Sequence, residues 1–229
     1  MKACLSPVIA SLSKTGAVNQ TCTSTERKEL DMRFALATAN PGKIKEMREV
    51  LSEFGIDVVS RDELGIGIVV EETGTTFFEN ALLKAGAICA ASGLPAIADD
   101  SGLMVDALGG APGVYSSSYG GAGVFDNERY LYLLDNMAGL EQRRAKFVCT
   151  IVCVFPDGEE LSATGECHGE ISTAPRGTGG FGFDPVFIVN GLDKTMAELS
   201  AEEKNAISHR GAAIRKFATL LKARKEFTY

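Results

Sequence analysis

The sequence predicts a mixed α/β sheet with helices packed on it, and three observations carry that prediction. Short apolar runs alternate with amphipathic helical patterns through the N-terminal half, as strand–helix–strand units require. Ala145 to Phe155 and Leu161 to His168 flank Pro156-Asp157-Gly158 and read as one long β-hairpin, because Asp-Gly favours a tight turn. Two capping boxes then announce a helical C-terminus.

Taken in order, Phe34 to Thr38 reads as a strand, and Asn40-Pro41 supplies an N-cap with proline at the first helical position. The helix that follows shows Ile44, Met47, Leu51 and Phe54 on one face, Gly55 closes it, and Ile56 to Val59 is the next strand. Ile66 to Val70 is a further apolar run, read as a buried strand, that ends at Glu71-Glu72. Thr76 to Glu79 forms a capping box for a helix reaching about Ala91, with Gly93 as its stop and with Asn80 and Lys84 sharing a face. Leu94 to Ala98 reads as a short buried strand that ends at Asp99-Asp100-Ser101-Gly102. Asp126 is a candidate cap for a helix carrying Leu131, Leu134 and Met137, and Pro185 to Val189 reads as a strand. Thr195-x-x-Glu198 and Ser200-x-x-Glu203 are the two late capping boxes, and Ile207, Ile214, Phe217 and Leu221 stripe the last helix.

Composition narrows the function. The chain has 229 residues, 45% hydrophobic and 23% charged, enough for one globular domain or two lobes sharing a cleft. A formal charge of -7 argues against nucleic acid or an anionic membrane as partner, yet a local cleft can still hold a small anion. The six cysteines form no CxxC pair and no zinc spacing, so reduced buried thiols are expected. No apolar run reaches the roughly 20 residues of a membrane span, and a cytoplasmic location is expected. Residues 1–31 differ in texture from the rest and are expected to be a poorly ordered N-terminal extension, with the folded domain occupying 32–229. A transit peptide and a start assigned too far upstream both account for it.

Thr38-Ala39-Asn40-Pro41-Gly42-Lys43 places a hydroxyl, an amide, a glycine and a lysine at a helix start, where free N–H groups and the helix dipole attract phosphate. By itself such a start is more often structural, and it lacks the P-loop spacing. Glu71-Glu72 and Asp99-Asp100 put four carboxylates at strand rims, where basic partners or a metal must offset them; surface acids or caps account for them equally well. Oxygen ligands favour Mg²⁺ over zinc. Lys43, Lys84 and Lys204 are each, taken singly, ordinary surface lysines, but together they are what a polyanion needs. Ser208-His209-Arg210 offers donors at a helix start, and Phe181 and Phe183 in a glycine-rich stretch offer rings to a purine, if they are not simply core.

In register, these segments resemble the inosine/xanthosine triphosphate pyrophosphatase family, which acts on non-canonical purine nucleotides. The resemblance spans Met32 to about Leu221. It rests on Thr38-Ala39-Asn40 with Lys43, on Glu71-Glu72-Thr73-Gly74 with Phe77, Glu79, Asn80 and Lys84, and on Ala98 to Leu103. Gly179 to Pro185 and Glu203-Lys204-Asn205-x-x-Ser208-His209-Arg210 complete it. It implies an elongated mixed sheet, two lobes around a central nucleotide-binding cleft, a homodimer, a Mg²⁺ requirement, and hydrolysis of ITP, dITP and XTP to monophosphate and pyrophosphate. Carried over residue by residue, Thr38, Ala39, Asn40, Pro41, Gly42 and Lys43 would hold the triphosphate, and Glu72 and Asp100 the metal. Asp100 would accept the proton of the attacking water, supported by Asp99 and Lys84. Ser101, Phe181, Gly182, Phe183, Asp184, Lys204, His209 and Arg210 would contact the nucleotide.

Two positions depart from the family pattern: Ser118 stands where arginine is common after Tyr115-Ser116-Ser117, and Phe183 where tyrosine is common. A Maf-type pyrophosphatase and a non-catalytic nucleotide sensor are the competing readings. His209-Arg210 and the Phe-Gly-Phe-Asp segment oppose the first, and retention of Glu72, Asp99 and Asp100 opposes the second.

Overall fold

The protein is described by a computed structural model covering residues 33–121 and 123–224; the expectations for residues 1–31 and for the domain start at Met32 lie outside them. The sheet is mixed. Strand β1 (Phe34–Leu36) pairs in parallel with β2 (Val58–Ser60) and with β3 (Ala96–Val105). Strands β4 (Arg144–Val154), β5 (Glu160–Ile171) and β6 (Phe187–Val189) continue it antiparallel, giving the order β2-β1-β3-β4-β5-β6.

Helix α1 (Pro41–Ser52) starts at the Asn40 cap, and α2 (Phe77–Ser92) at the Thr76 capping box, with Gly93 at its end. Helices α3 (Asp126–Asn136), α4 (Ala201–Ile207) and α5 (His209–Ala223) follow. Among the described residues no helix is long and apolar enough to cross a membrane.

Strand alternation divides the core. On one face Ile97, Cys149, Ile151 and Cys153 pack under Met47 and Leu51 of α1 and Ile214 and Phe217 of α5. On the other, Ala96, Ala98 and Val152 pack under Ala81, Ala85 and Ile88 of α2. The far ends of the long strands join a separate core in which Leu103, Phe147 and Cys167 meet Leu133, Phe187 and Met196. Between the two cores of the first face, β3 presents Asp99 and Ser101, so a polar gap lies where the apolar packing is interrupted. Helix α5 is seated deeply at that gap because β5 has no side chain at Gly165, where a Cβ would lie 2.2 Å from the His209 carbonyl oxygen.

Several boundaries differ from expectation. Strand β3 does not end at Asp99: its ladder with β4 runs on to Val105, and what stops there is the pairing with β1, at Leu36–Ile97. Ile66 to Val70 is not a strand; it finds no neighbouring edge, and Val69 is 85% exposed. Asp126 is the first helical residue rather than the cap of α3, and its carboxylate accepts from Gly182 N at 2.7 Å, tying that helix to the glycine-rich segment. Ile207 is exposed on α4, because Ser208 takes an extended conformation and starts α5 afresh. Pro185 lies in a 3-10 turn (Asp184–Val186) ahead of β6.

Candidate active site

The cleft begins at the start of α1. Asn40 Oδ1 accepts from Lys43 N at 3.1 Å, and Thr38 Oγ1 from Asn40 N at 3.1 Å, which fixes the turn that aims the helix N-terminus. Thr38, Ala39, Asn40 and Lys43 line an outer cavity together with Glu72 and Lys84. Pro41 and Gly42 line neither this cavity nor the inner one described below; Pro41 lies on a shallow outer groove. Gly42 serves by being small, since a Cβ there would meet Phe181 Cδ1 at 2.9 Å.

Asp99 and Asp100 point to opposite faces of β3, as successive strand residues must. Asp100 faces α2. Lys84 Nζ stands 3.2 Å from Asp100 Oδ1 and 2.9 Å from Glu72 Oε2, and Asn80 Nδ2 donates to Asp100 Oδ2 at 3.3 Å while its own Oδ1 accepts from Gly74 N at 2.8 Å. Burial raises the Asp100 pKa above the usual carboxylate range, and the charge of Glu72 adds to this, against the pull of Lys84. Glu72 and Asp100 thus converge on one cation position, held here by an ammonium. Among the described residues no group of three or more His, Cys, Asp or Glu gathers to hold a metal. A pair of carboxylates is nonetheless a sufficient protein contribution for Mg²⁺, which completes its shell with water and phosphate oxygens. The residues present fit that ion.

Asp99 faces α1 and α5 and is wholly buried. Its Oδ2 receives Ser101 Oγ at 2.8 Å, Arg210 Nε and Nη2 at 3.3 Å each, and Lys43 Nζ at 3.0 Å, while Oδ1 has no hydrogen-bond partner. Burial works to raise its pKa, but Lys43, Arg210 and Lys84 outweigh that and hold it far below the usual range. Arg210 Nη1 pairs with Glu46, and Lys204 Nζ bridges Glu46 Oε1 at 2.9 Å and Asp184 Oδ2 at 2.6 Å. All three nitrogens of Arg210 are therefore engaged, and Asp184 is spent on Lys204 and on Phe181 N at 2.9 Å. Glu46, the hinge of this network, was not anticipated. Its single signal in the sequence is the three-residue spacing from Lys43, which puts both on one side of α1.

Lys43, Lys84 and Lys204 do converge. The inner cavity is lined by all three, with Ser101, His209 and Arg210. Its aromatic wall consists of Phe147, Phe181 and Phe183, and Gly182 and Asp184 also border it. Lys204 Nζ lies 4.6 Å above the Phe181 ring. Phe183 belongs to the far core, edge-on to Tyr119 at 6.4 Å, so it forms a wall more than a free platform. The His209 ring stacks on Phe147 at 4.7 Å and 13°.

Burial, with Arg210 and Lys204 nearby, pushes the His209 pKa well below 6.5. The folded state keeps this imidazole neutral, while the unfolded chain protonates it below about pH 6.5. Its contribution is therefore complete above that value and is lost as pH falls through it toward the lower folded pKa. Thermal midpoints should drop between pH 7 and pH 5 and drop less in His209→Gln; coincident curves would contradict this.

The comparisons with known proteins agree with the motifs. The model of the Ham1 family matches residues 34–220. A dITP/XTP pyrophosphatase of Thermus thermophilus is 49% identical over 197 residues, 85% of this chain and 93% of that protein. One of Bacillus subtilis is 48% identical over 190 residues, 82% and 96% of the two chains. The solved Ham1 protein of Staphylococcus aureus has a TM-score of 0.76 at 42% identity, covering 84% of this chain and 100% of that one. The Ham1 protein of Coxiella burnetii gives 0.77 at 42% identity, with 84% and 99% covered. These matches fall on the stretch that carries the motif resemblance, and the chain belongs to the Ham1 family.

Proposed function

We propose that the chain hydrolyses non-canonical purine nucleoside triphosphates, ITP, dITP and XTP, to the monophosphate and pyrophosphate. The observation that carries this reading is a single cleft with two chemically distinct ends. At one, Lys43, Lys84 and the α1 N-terminus stand beside Glu72 and Asp100; at the other, the rings of Phe147, Phe181, Phe183 and His209 border the cavity. The dITP/XTP pyrophosphatases of T. thermophilus and B. subtilis support the substrate class.

Asp100 accepts the proton of a water attacking the α-phosphorus, as the carboxylate at the cleft that Lys84 and Asn80 hold in position. Lys84 holds Asp100 and Glu72 in place and, with Lys43, faces the departing pyrophosphate. Asp99 acts through Lys43, Arg210 and Ser101, keeping them fixed. Since the nitrogens of Arg210 are already engaged, recognition of a 6-keto oxygen falls chiefly to His209.

Lys43, Lys84, Lys204 and Arg210 are each paired to one or more of Glu46, Glu72, Asp99, Asp100 and Asp184, so carboxylates outnumber cations in this set. A Mg²⁺ ion held by Glu72 and Asp100 would supply the neutralisation that a polyphosphate needs there. A homodimer belongs to the same proposal, and exposed Tyr115 and Phe125 are apolar surface that a second copy would cover. So does action in the cytoplasmic nucleotide pool.

The test is pyrophosphate release from a panel of triphosphates with Mg²⁺ and with chelator. We expect kcat/KM for ITP or XTP to exceed that for ATP by roughly 10⁴, as for a site built around a required hydrogen bond, with activity lost on chelation. Preference for ATP or TTP would point to the Maf-type reading, and tight binding without turnover to a sensor.

A further inference from the structure

The outer cavity is bordered by Thr38, Asn40, Lys43, Glu72 and Lys84, and also by Arg61, which no motif singled out. Arg61 follows β2 directly and is fixed at both ends of its backbone. Its N–H donates to the Leu36 carbonyl at 3.0 Å, and its carbonyl accepts from Ile66 N at 2.9 Å. The side chain is largely covered, and Nη1 donates to the Ile68 carbonyl at 2.7 Å, bracing the segment that leads to Glu72. Its Nε is buried without a hydrogen bond, although Asp62 Oδ1 lies 3.4 Å away. That N–H is out of reach of the cavity, so any contact with an arriving anion falls to the terminal guanidinium nitrogens.

Charge separates Arg61 from its neighbours. Lys43 is held against Asp99, and Lys84 against Glu72 and Asp100, all within the cleft. The acid beside Arg61 is Asp62, which is 62% exposed and screened by water. More of the Arg61 charge is therefore available to an incoming ligand. Its cavity shares Lys43, Glu72 and Lys84 with the inner one, and none of the three phenylalanines of the aromatic wall lines it. A nucleotide seated with its base at that wall and its phosphates at Lys43 and Lys84 would bring its outer phosphate to the cavity that Arg61 borders.

The geometry points to Arg61 as a substrate-positioning residue for the terminal phosphate, selecting triphosphates by their outermost group while leaving the base end unaffected. This rests on the triphosphate reading above. The fork of a guanidinium suits two phosphate oxygens at once, which an ammonium does not reproduce.

The experiment uses the full chain with Arg61→Ala, Arg61→Lys and Arg61→Gln. It measures ITP turnover with Mg²⁺ and inhibition by inorganic pyrophosphate and by IMP. In Arg61→Ala the KM for ITP and the inhibition constant of pyrophosphate should rise together, between about tenfold and a hundredfold. The kcat should stay within a few-fold, and IMP inhibition should not change. Arg61→Lys should recover part of the loss. If Arg61 only braces the Ile68 segment, kcat falls or the two inhibition constants move alike, and either result overturns the inference; so does no change at all. Should Arg61→Ala fail to fold by circular dichroism, the Lys and Gln variants carry the same comparison. A wild-type protein that releases no pyrophosphate from ITP would instead remove the underlying reading, and calorimetric binding of pyrophosphate would still test Arg61.

Discussion

Asp100→Asn should leave a folded protein whose pyrophosphate release from ITP falls by about 10³-fold or more. Loss of a positioned general base removes roughly 10² to 10⁴ in rate, and this substitution also weakens the proposed metal pair. The amide is nearly isosteric and keeps a hydrogen-bonding partner for Asn80. Stability should respond the other way. Because the folded pKa of Asp100 lies above its ordinary value, ionisation costs stability as pH rises from about 4 through the folded pKa. Removing that charge should hold or raise the thermal midpoint at pH 7, offset in part by the lost contact with Lys84. Turnover within tenfold of wild type would remove Asp100 as the base.

Arg210→Met should have the largest structural effect. The side chain is 2% exposed and stands among Asp99, Glu46 and Ser101, so its removal takes one of two cations from each of two carboxylates, leaving Asp99 with Lys43 alone and Glu46 with Lys204 alone. Breaking a buried pair in this way costs about 3–5 kcal/mol, which for a chain of this size lowers Tm by about 10 °C or more. Arg210→Lys should rescue little, because one ammonium cannot span three partners. Adding Asp99→Asn to Arg210→Met should restore part of the stability by removing a buried charge that Lys43 alone must then offset. Denaturant midpoints measure all three variants, and a wild-type value for Arg210→Met would contradict the network.

Local chemistry made the helices legible. Asn40-Pro41, the Thr76 capping box and the Ser200 capping box mark helix starts where the sequence places them, and the long hairpin turns at Asp157-Gly158 as that pair requires. What depended on distant partners was hidden. Nothing near Asp99 announces that β3 continues, because the strand is prolonged by its ladder with β4, some fifty residues away. Ile66 to Val70 has the composition of a strand but no edge to join. Lys43, Lys84 and Lys204 could be grouped because each sat beside a motif. Glu46 and Arg61 could not, since a charged residue inside a helix or just after a strand looks the same whether it meets water or a cleft.

The pleat that sends Asp99 and Asp100 to different sides makes the sheet a partition between two charge systems rather than a shared floor. One system is a locked scaffold of buried ion pairs, and the other holds a more open acid that chemistry can use. The two still meet through charge, because Lys84 on one side helps to keep Asp99 ionised on the other. Their assignment rests on counting residues along β3, so an insertion or deletion of a single residue before Asp99 would exchange the two acids between layers. Loops elsewhere in the chain can change length, but this strand cannot.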